Sequence, residues 1–319
     1  MPSPGSGCGL DVHVPLSLRS TPQSDSVAAS LASIPPASGF PRDMVGFWSS
    51  FGFCSPPPSL QRSVVRPLEA SLFEEVKSRL SSSPLSSSSF SSCLSKSSRS
   101  WLLATPSSSS FLSDREFSLA SRLRLGLPPS DSLPRVCRCS ARLSEDPGHF
   151  LSCRLLYPVA RVRHDRIVRL LATLIQRAGG VSYVEPRYLE DKRPDIHAFF
   201  PDDRVMIDVC VVHPTSPSYL PSVHGSPMRY RENEKVSSYS SLAKELGCRF
   251  IPFAVESFGT LGSFAVNFMQ DLVSYAKESF SSSYSALSAM SSLSILLQKG
   301  NAEMLSQGCL VARSTLPVR

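Results

Sequence analysis

The chain has 319 residues, 41% of them hydrophobic and only 18% charged, with serine filling much of the difference. That length suffices for one or two domains with a sizeable core, and no run is apolar enough to span a bilayer. Lys plus Arg exceed Asp plus Glu by 33 to 26, a net charge of +7 that permits a polyanionic partner without proving one.

Residues 1–110 are rich in Ser and Pro. The opening MPSPGSGCGLDVHV has neither the basic start nor the apolar run of a secretory leader. Nine cysteines in such a chain argue for an intracellular, reducing setting, with free thiols or metal ligands. The segment SSSPLSSSSFSSCLSKSSRS, 81–100, predicts a mostly disordered region. Short helices such as SLFEEVKSRL, 71–80, interrupt it.

A second region runs from 111 to 158. In SDREFSLASRLRLGLPP, 113–129, Ser113 predicts an N-cap with Glu116 three residues on, and GLPP ends the helix. CRCSARLSEDPGHFLSC follows, offering Cys137, Cys139, His149 and Cys153. Three thiols and an imidazole close a tetrahedral Zn²⁺ site with no open position, hence a structural one. C-x-C is tighter than the usual C-x-x-C, but Pro147-Gly148 supplies the turn. The remaining cysteines show no ligand spacing.

Residues 159–280 predict a third region. A long helix over 159–178 stops at Gly179-Gly180, followed by strands at 181–185, 195–200 and 204–212. A helix at 229–246, a strand at 248–255 and a helix at 261–279 complete it. The order predicts an α/β domain whose mixed sheet is covered by helices. The tail, 281–319, adds one more weak helix in SALSAMSSLSILLQKGN.

The first of these helices has an apolar face of Ile167, Leu170, Leu171, Leu174 and Ile175. Arg161, Arg163, Arg166, Arg169 and Arg177 occupy the rest. With Arg122 and Arg124 this density suits a phosphate-tracking surface, while each arginine alone reads equally as a solvated helix face.

RPDIHAFFPDDRVMIDVCVVHP, 193–214, puts acids inside two apolar strands. A turn centred between Asp202 and Asp203 sets Asp195 opposite Cys210 and His197 opposite Asp208. Asp195 and Asp208 are then diagonal neighbours on one face, roughly 7–8 Å apart at the backbone. Two such carboxylates can converge on a divalent cation. The bland alternative makes Asp195 a strand-entry acid and Asp208 a solvated residue, and a one-residue slip would part them altogether. Val205, Ile207, Val209 and Val211 form the core face. Lys235 and Tyr239, in EKVSSY, share one helical face that could cross back to the acids.

Pro194-Asp195, twelve intervening residues, Asp208, then Lys235 and Tyr239 on a helix resemble the PD-(D/E)XK nuclease pattern. More narrowly they resemble the restriction-like endonuclease domain of site-specific non-LTR retrotransposon proteins. RHD (163–165), Glu185-Pro186 and PFAVESFG (252–259) look like its companions. The resemblance covers about 113–300 and implies an αβββαβ core preceded by a CCHC knuckle. It implies Mg²⁺-dependent cleavage of DNA, Asp195 and Asp208 as Mg²⁺ ligands, and a catalytic Lys235 moved onto the helix with Tyr239 in support. Cys210 stands where the ordinary motif has its Lys. Glu185 would be a further ligand or a base acting through water, and is as readily a surface acid. DNA is the implied partner, with the element's RNA a second candidate, and the location nuclear. FPDD, 200–203, loosely matches a reverse-transcriptase hairpin, but Pro201 fits a tight turn better and Asp202 and Asp203 read as turn acids. Two other readings stay open: a catalytically decayed nucleic-acid-binding zinc-knuckle protein, and a structural α/β domain without activity.

Overall fold

A computed structural model describes residues 60–80, 84–104, 111–186, 193–216, 219, 226–279 and 284–314. The chain divides into two units, Met1–Arg79 and Leu80–Arg319. The first contributes helix α1, Leu60–Leu80, on which Lys77 and Arg79 reach Glu74 and Glu75 one turn back. This helix is longer than the 71–80 stretch expected. The disorder expected before residue 60 lies outside the described residues.

The second unit begins with α2, Pro84–Ser92, and a 3-10 turn over Ser97–Leu102. Here the structure departs from the disorder expected of 81–100. Trp101 and Ser98 are buried, and Arg124 donates to the carbonyls of Ser98 and Cys93 at 3.1 and 2.8 Å. The Ser98 hydroxyl adds bonds to Cys93 and Ser95 carbonyls, both 2.9 Å. Serines that look like solvent-loving filler in composition thus supply the local bonds that fold a strap, and Trp101 anchors it.

Helix α3, Asp114–Arg124, has the expected capping box: Ser113 accepts from the Glu116 amide, and Glu116 accepts from the Ser113 amide. Helix α4, Tyr157–Arg177, ends where Gly179 turns left-handed at φ +91. Gly180 donates back to Ile175 at 3.0 Å, the long bond of a Schellman cap. Strands β1 (Val181–Val184), β2 (Ile196–Phe199) and β3 (Arg204–Val212) follow. Helix α5 (Pro227–Glu245), β4 (Arg249–Glu256), α6 (Ser263–Glu278) and α7 (Ala286–Arg313) complete the unit. No described helix is long and apolar enough to cross a membrane.

The result is a mixed α/β unit with a four-stranded sheet in the order β1-β2-β3-β4. β1/β2 and β2/β3 are antiparallel; β3 and β4 are parallel, joined by α5 as a crossover. One face carries Ile196, Val205, Ile207, Val209, Ile251 and Phe253. It packs under Ile167, Leu171 and Ile175 of α4, Phe268 and Leu272 of α6 and Leu297 of α7. Full burial of each such side chain contributes about 1.5–3 kcal/mol. The opposite face of β3 is also buried, with Met206, Asp208, Cys210 and Val212 lying towards α5. Helix α7 is 28 residues long and deeply packed, unlike the weak tail helix expected from its serine-diluted sequence.

The hairpin register differs from expectation by two residues. Phe200 donates to Asp203 at 2.8 Å, so the turn centres on Pro201-Asp202, and Ile196 pairs with Ile207. Continuing that register sets Asp195 directly opposite Asp208. A two-residue slip preserves which face each side chain takes, so the shared face survives and the diagonal becomes a direct juxtaposition.

Candidate active site and metal centre

Three rows of side chains cross the α5 face of the sheet. Paired residues give Val181, Phe199 and Arg204 in the first row and Tyr183, His197, Met206 and Phe250 in the second. The third holds Asp195 and Asp208, with Pro252 beyond Asp208; Glu185 joins it at the β1 end through its amide bond to Asp195, 2.9 Å.

Asp195 is fixed by its own strand neighbours. Its Oδ2 accepts from the Val209 amide at 2.7 Å and faces His164 Nε2 at 3.2 Å. Asp208 is buried, which excludes the solvated reading of this acid. Burial, then the charge of Asp195, raises its carboxyl pKa, against the pull of Lys235 and Tyr239. Lys235 Nζ lies 2.6 Å from Oδ2 without hydrogen-bond alignment, so that buried oxygen has no directional donor. Tyr239 donates its hydroxyl to the Arg193 carbonyl at 3.1 Å, and burial, then the nearby Asp208 charge, raises its phenol pKa. Its ring stacks on Phe250 with centroids 4.9 Å apart. Two turns before Tyr239, buried Glu232 accepts from Phe264 and Ser263 at the start of α6, which fixes the pose of α5.

The structure therefore brings Asp195, Asp208, Lys235 and Tyr239 together. Glu185 is different: it has φ +46 and an exposed carboxylate 3.6 Å from Arg161. His164, to which the sequence reading gave no role beyond membership of the RHD triplet, also reaches the site. Burial lowers its pKa, but the hydrogen bond and charge of Asp195, with Asp165 and the Val209 carbonyl, raise it to about 9. The signal was the RHD triplet, whose His and Asp flank the site's edge. Cys210 is buried, its thiol pushed by burial up to about 12.

The arginine surface needs correction. Arg163 is 4% exposed, donates to Asn301 Oδ1 at 2.7 Å and leaves Nε without a partner. Its stem fills the space over Gly300, so it packs α4 against α7 and is not open to a phosphate. Arg166 is partly committed, 2.6 Å from Glu303. Arg122 donates to the Pro128 carbonyl at 2.6 Å, and Arg124 holds the strap. Arg161 and Arg169 remain exposed. The apolar face of α4 turns inward as expected, and sequence periodicity alone did not say which arginine stem the glycine at 300 would accommodate.

Of the turn acids, Asp203 has a structural task. It accepts from Arg249 at 2.7 Å and from the Tyr275 hydroxyl, tying the hairpin to β4 and α6. His197 faces Cys248 Sγ at 3.2 Å. His224 lies outside the described residues.

The second constellation is the Cys/His group. Ligand atoms of Cys137, Cys139, His149 and Cys153 all lie within 4.8 Å of one another. Cys137 and Cys153 sulfurs are 3.9 Å apart, close to the ~3.8 Å edge of a tetrahedron with Zn–S bonds of about 2.3 Å. Cys139 Sγ is 3.1 Å from His149 Nε2. The C-x-C spacing works because Ser140 turns left-handed at φ 77, with Cys137 and Ala141 joined at 2.8 Å. Burial, and then the neighbouring thiols, push Cys153 up to about 12; a central dication would reverse that by displacing the protons. Zinc fits this donor set. Behind it, a Cβ on Gly148 would come within 2.7 Å of His213 Nε2. His213 is held between Ser257 and Thr215, both at 2.7 Å, and burial brings its pKa down to about 3.

No family model matches the chain. Over 112 residues it is 35% identical to the retrovirus-related Pol polyprotein from type-1 retrotransposable element R2 of Popillia japonica. The match covers 33% of this chain and 24% of that protein's length. This distant similarity supports a retrotransposon-derived protein, and the Cys₃His group fits a zinc knuckle.

Proposed function

We propose that the Leu80–Arg319 unit is a Mg²⁺-dependent endonuclease that cuts DNA phosphodiester bonds in the nucleus, with a zinc-held knuckle beside it. The observation that carries this is the juxtaposition of Asp195 and Asp208 with Lys235 and Tyr239 over them, residues that chain order alone keeps apart. The run α4-β1-β2-β3-α5-β4 supports it, because its element order matches the αβββαβ core that the motif resemblance implies.

The acids suit a divalent ion. Asp208 Oδ2 is buried without a directional donor, and its neighbour Asp195 repels it; an oxygen-seeking dication answers both. When bound, it would polarise the phosphate and lower the pKa of a water. The protein's own part is positional. The Val209 amide and His164 hold Asp195, and Lys235 sets a cation where charge on a phosphate grows. Tyr239, anchored on the Arg193 carbonyl, closes the site beside Asp208, and the exposed Arg161 and Arg169 can bind the sugar-phosphate backbone.

Supercoiled plasmid, incubated with the zinc-loaded protein, should be nicked with Mg²⁺ and left intact without it. Asp208→Asn should remove the activity. A folded, DNA-binding wild type that never nicks would instead establish the decayed nucleic-acid-binding reading.

A further inference from the structure

Among the described residues α5 packs on β3 and β4, and the β1 edge of the carboxylate face is exposed. On it Val181 and Tyr183 are 55% and 53% exposed. Phe199 lies half-buried beside them, its ring 5.9 Å from Tyr183 at 85° and 4.4 Å from His197. Scattered surface aromatics are ordinary, but Tyr183 on the edge strand β1 and Phe199 on its neighbour β2 are contiguous and share the face of the acids. His197 and Asp195 are two residues apart on one strand face, a separation of about 7 Å.

Charge selects the occupant. Arg204 shares a row with Phe199 and is exposed, as is Arg193 at the other end of β2. Neither has an acidic partner among the described residues. Ring faces bounded by guanidinium groups match a polynucleotide strand, whose bases stack on aromatics while its phosphates meet cations. In a duplex the base faces are already covered by their neighbours, so only an unpaired nucleotide can use such a surface.

We propose that Tyr183 and Phe199 form a stacking platform for an unpaired nucleotide next to the scissile phosphate, with Arg193 and Arg204 holding the strand. The substrate would then be single-stranded or locally melted at the cut. This rests on the phosphodiester reading of Asp195 and Asp208 for the placement of the strand. A sheet edge of this kind could also pair with a second copy of the chain, and the experiment must separate the two.

Binding is measured by fluorescence anisotropy on the full chain, zinc-loaded and without Mg²⁺. The probes are an oligothymidylate and a fully paired duplex of equal length. Tyr183→Ala should weaken the single strand roughly tenfold, within the range that removal of one base stack gives, and the duplex by less than about twofold. Tyr183→Trp should restore the single-strand affinity. Equal losses on both probes overturn the platform, and so does a Tyr183→Ala variant that binds normally. Sedimentation showing a wild-type dimer that Tyr183→Ala dissociates overturns it in favour of strand pairing between copies. Because no cleavage is needed, a protein that never nicks yet shows the Tyr183-dependent preference keeps the platform and loses only the nuclease. Normal nicking with an indifferent Tyr183 does the reverse.

Discussion

Lys235 Nζ, reaching down from α5, lies 2.6 Å from Oδ2 of Asp208 in the floor of the sheet. The pair is unequal, since the lysine keeps 25% of its side chain exposed and the aspartate 6%. Removing the lysine leaves a buried negative charge beside Asp195. Removing the aspartate charge leaves an ammonium that can swing into water.

This inequality sets the first expectation. Lys235→Met should lower stability by about 1–3 kcal/mol, whereas Asp208→Asn should stay within about 1 kcal/mol of the parent. The double variant should recover most of the Lys235→Met loss in urea unfolding. Both single variants should abolish or cripple plasmid nicking. Additive stability losses would show that the two charges do not depend on each other.

Zinc should be part of the fold of residues 137–153. Purified protein should contain close to one zinc per chain, and Cys153→Ser should reduce it. Chelation should lower the melting temperature, because the four ligand atoms otherwise sit together with raised thiol pKa values and no central charge. Zinc-free protein with an unchanged melting curve would contradict this.

The arginines of α4 should divide by exposure. Arg161→Gln and Arg169→Gln should leave stability alone and flatten the salt dependence of DNA binding. Each phosphate no longer neutralised should reduce the log–log slope by about 0.9. Arg163→Ala should do the opposite, costing about 2–5 kcal/mol because the packing over Gly300 disappears. Arg163→Met, which keeps the stem, should cost much less. A salt slope that changes only in the Arg163 variants would reverse the assignment.

Much of this architecture was legible where one residue type dictates one local geometry. Ser113 with Glu116 announced a cap, and Gly179-Gly180 ended α4. The six central elements fall within two residues of their expected bounds. The acids were legible because Asp208 interrupts an apolar strand. Their register was not, since the pairing depends on whether Pro201-Asp202 or Asp202-Asp203 heads the turn, and both sequences suit one. The strap at 84–104 was missed because its serines act through hydroxyl-to-carbonyl bonds, which composition does not display. The burial of Arg163 was missed because it is set by Gly300 on α7, far along the chain.

Asp203 should govern part of the acid sensitivity. Burial raises its carboxyl pKa, but the Tyr275 hydroxyl and the Arg249 guanidinium outweigh this and hold it below the usual range. A depressed folded pKa contributes stability that is present above the unfolded value of about 3.9 and lost as pH falls through the lower folded value. Asp203→Asn should therefore cost about 1 kcal/mol at pH 7, a modest figure because Arg249 is 43% exposed. The gap to wild type should narrow below about pH 4. Thermal unfolding across pH 3–7 would check it, and a gap that widens in acid would refute the sign.

Helix α7 adds its apolar side chains to two separate interiors. Leu293 and Leu297 complete the layer above the sheet, while Ala302, Met304 and Leu305 close the cluster around Phe150 and the knuckle. Gly308 lets that phenyl ring lie against the helix backbone. During synthesis the sheet, its crossover and the cysteine ligands leave the ribosome first, and each must wait with an open apolar side. Neither interior can seal until residues 289–308 have emerged, so both clusters keep an uncovered apolar side until α7 docks.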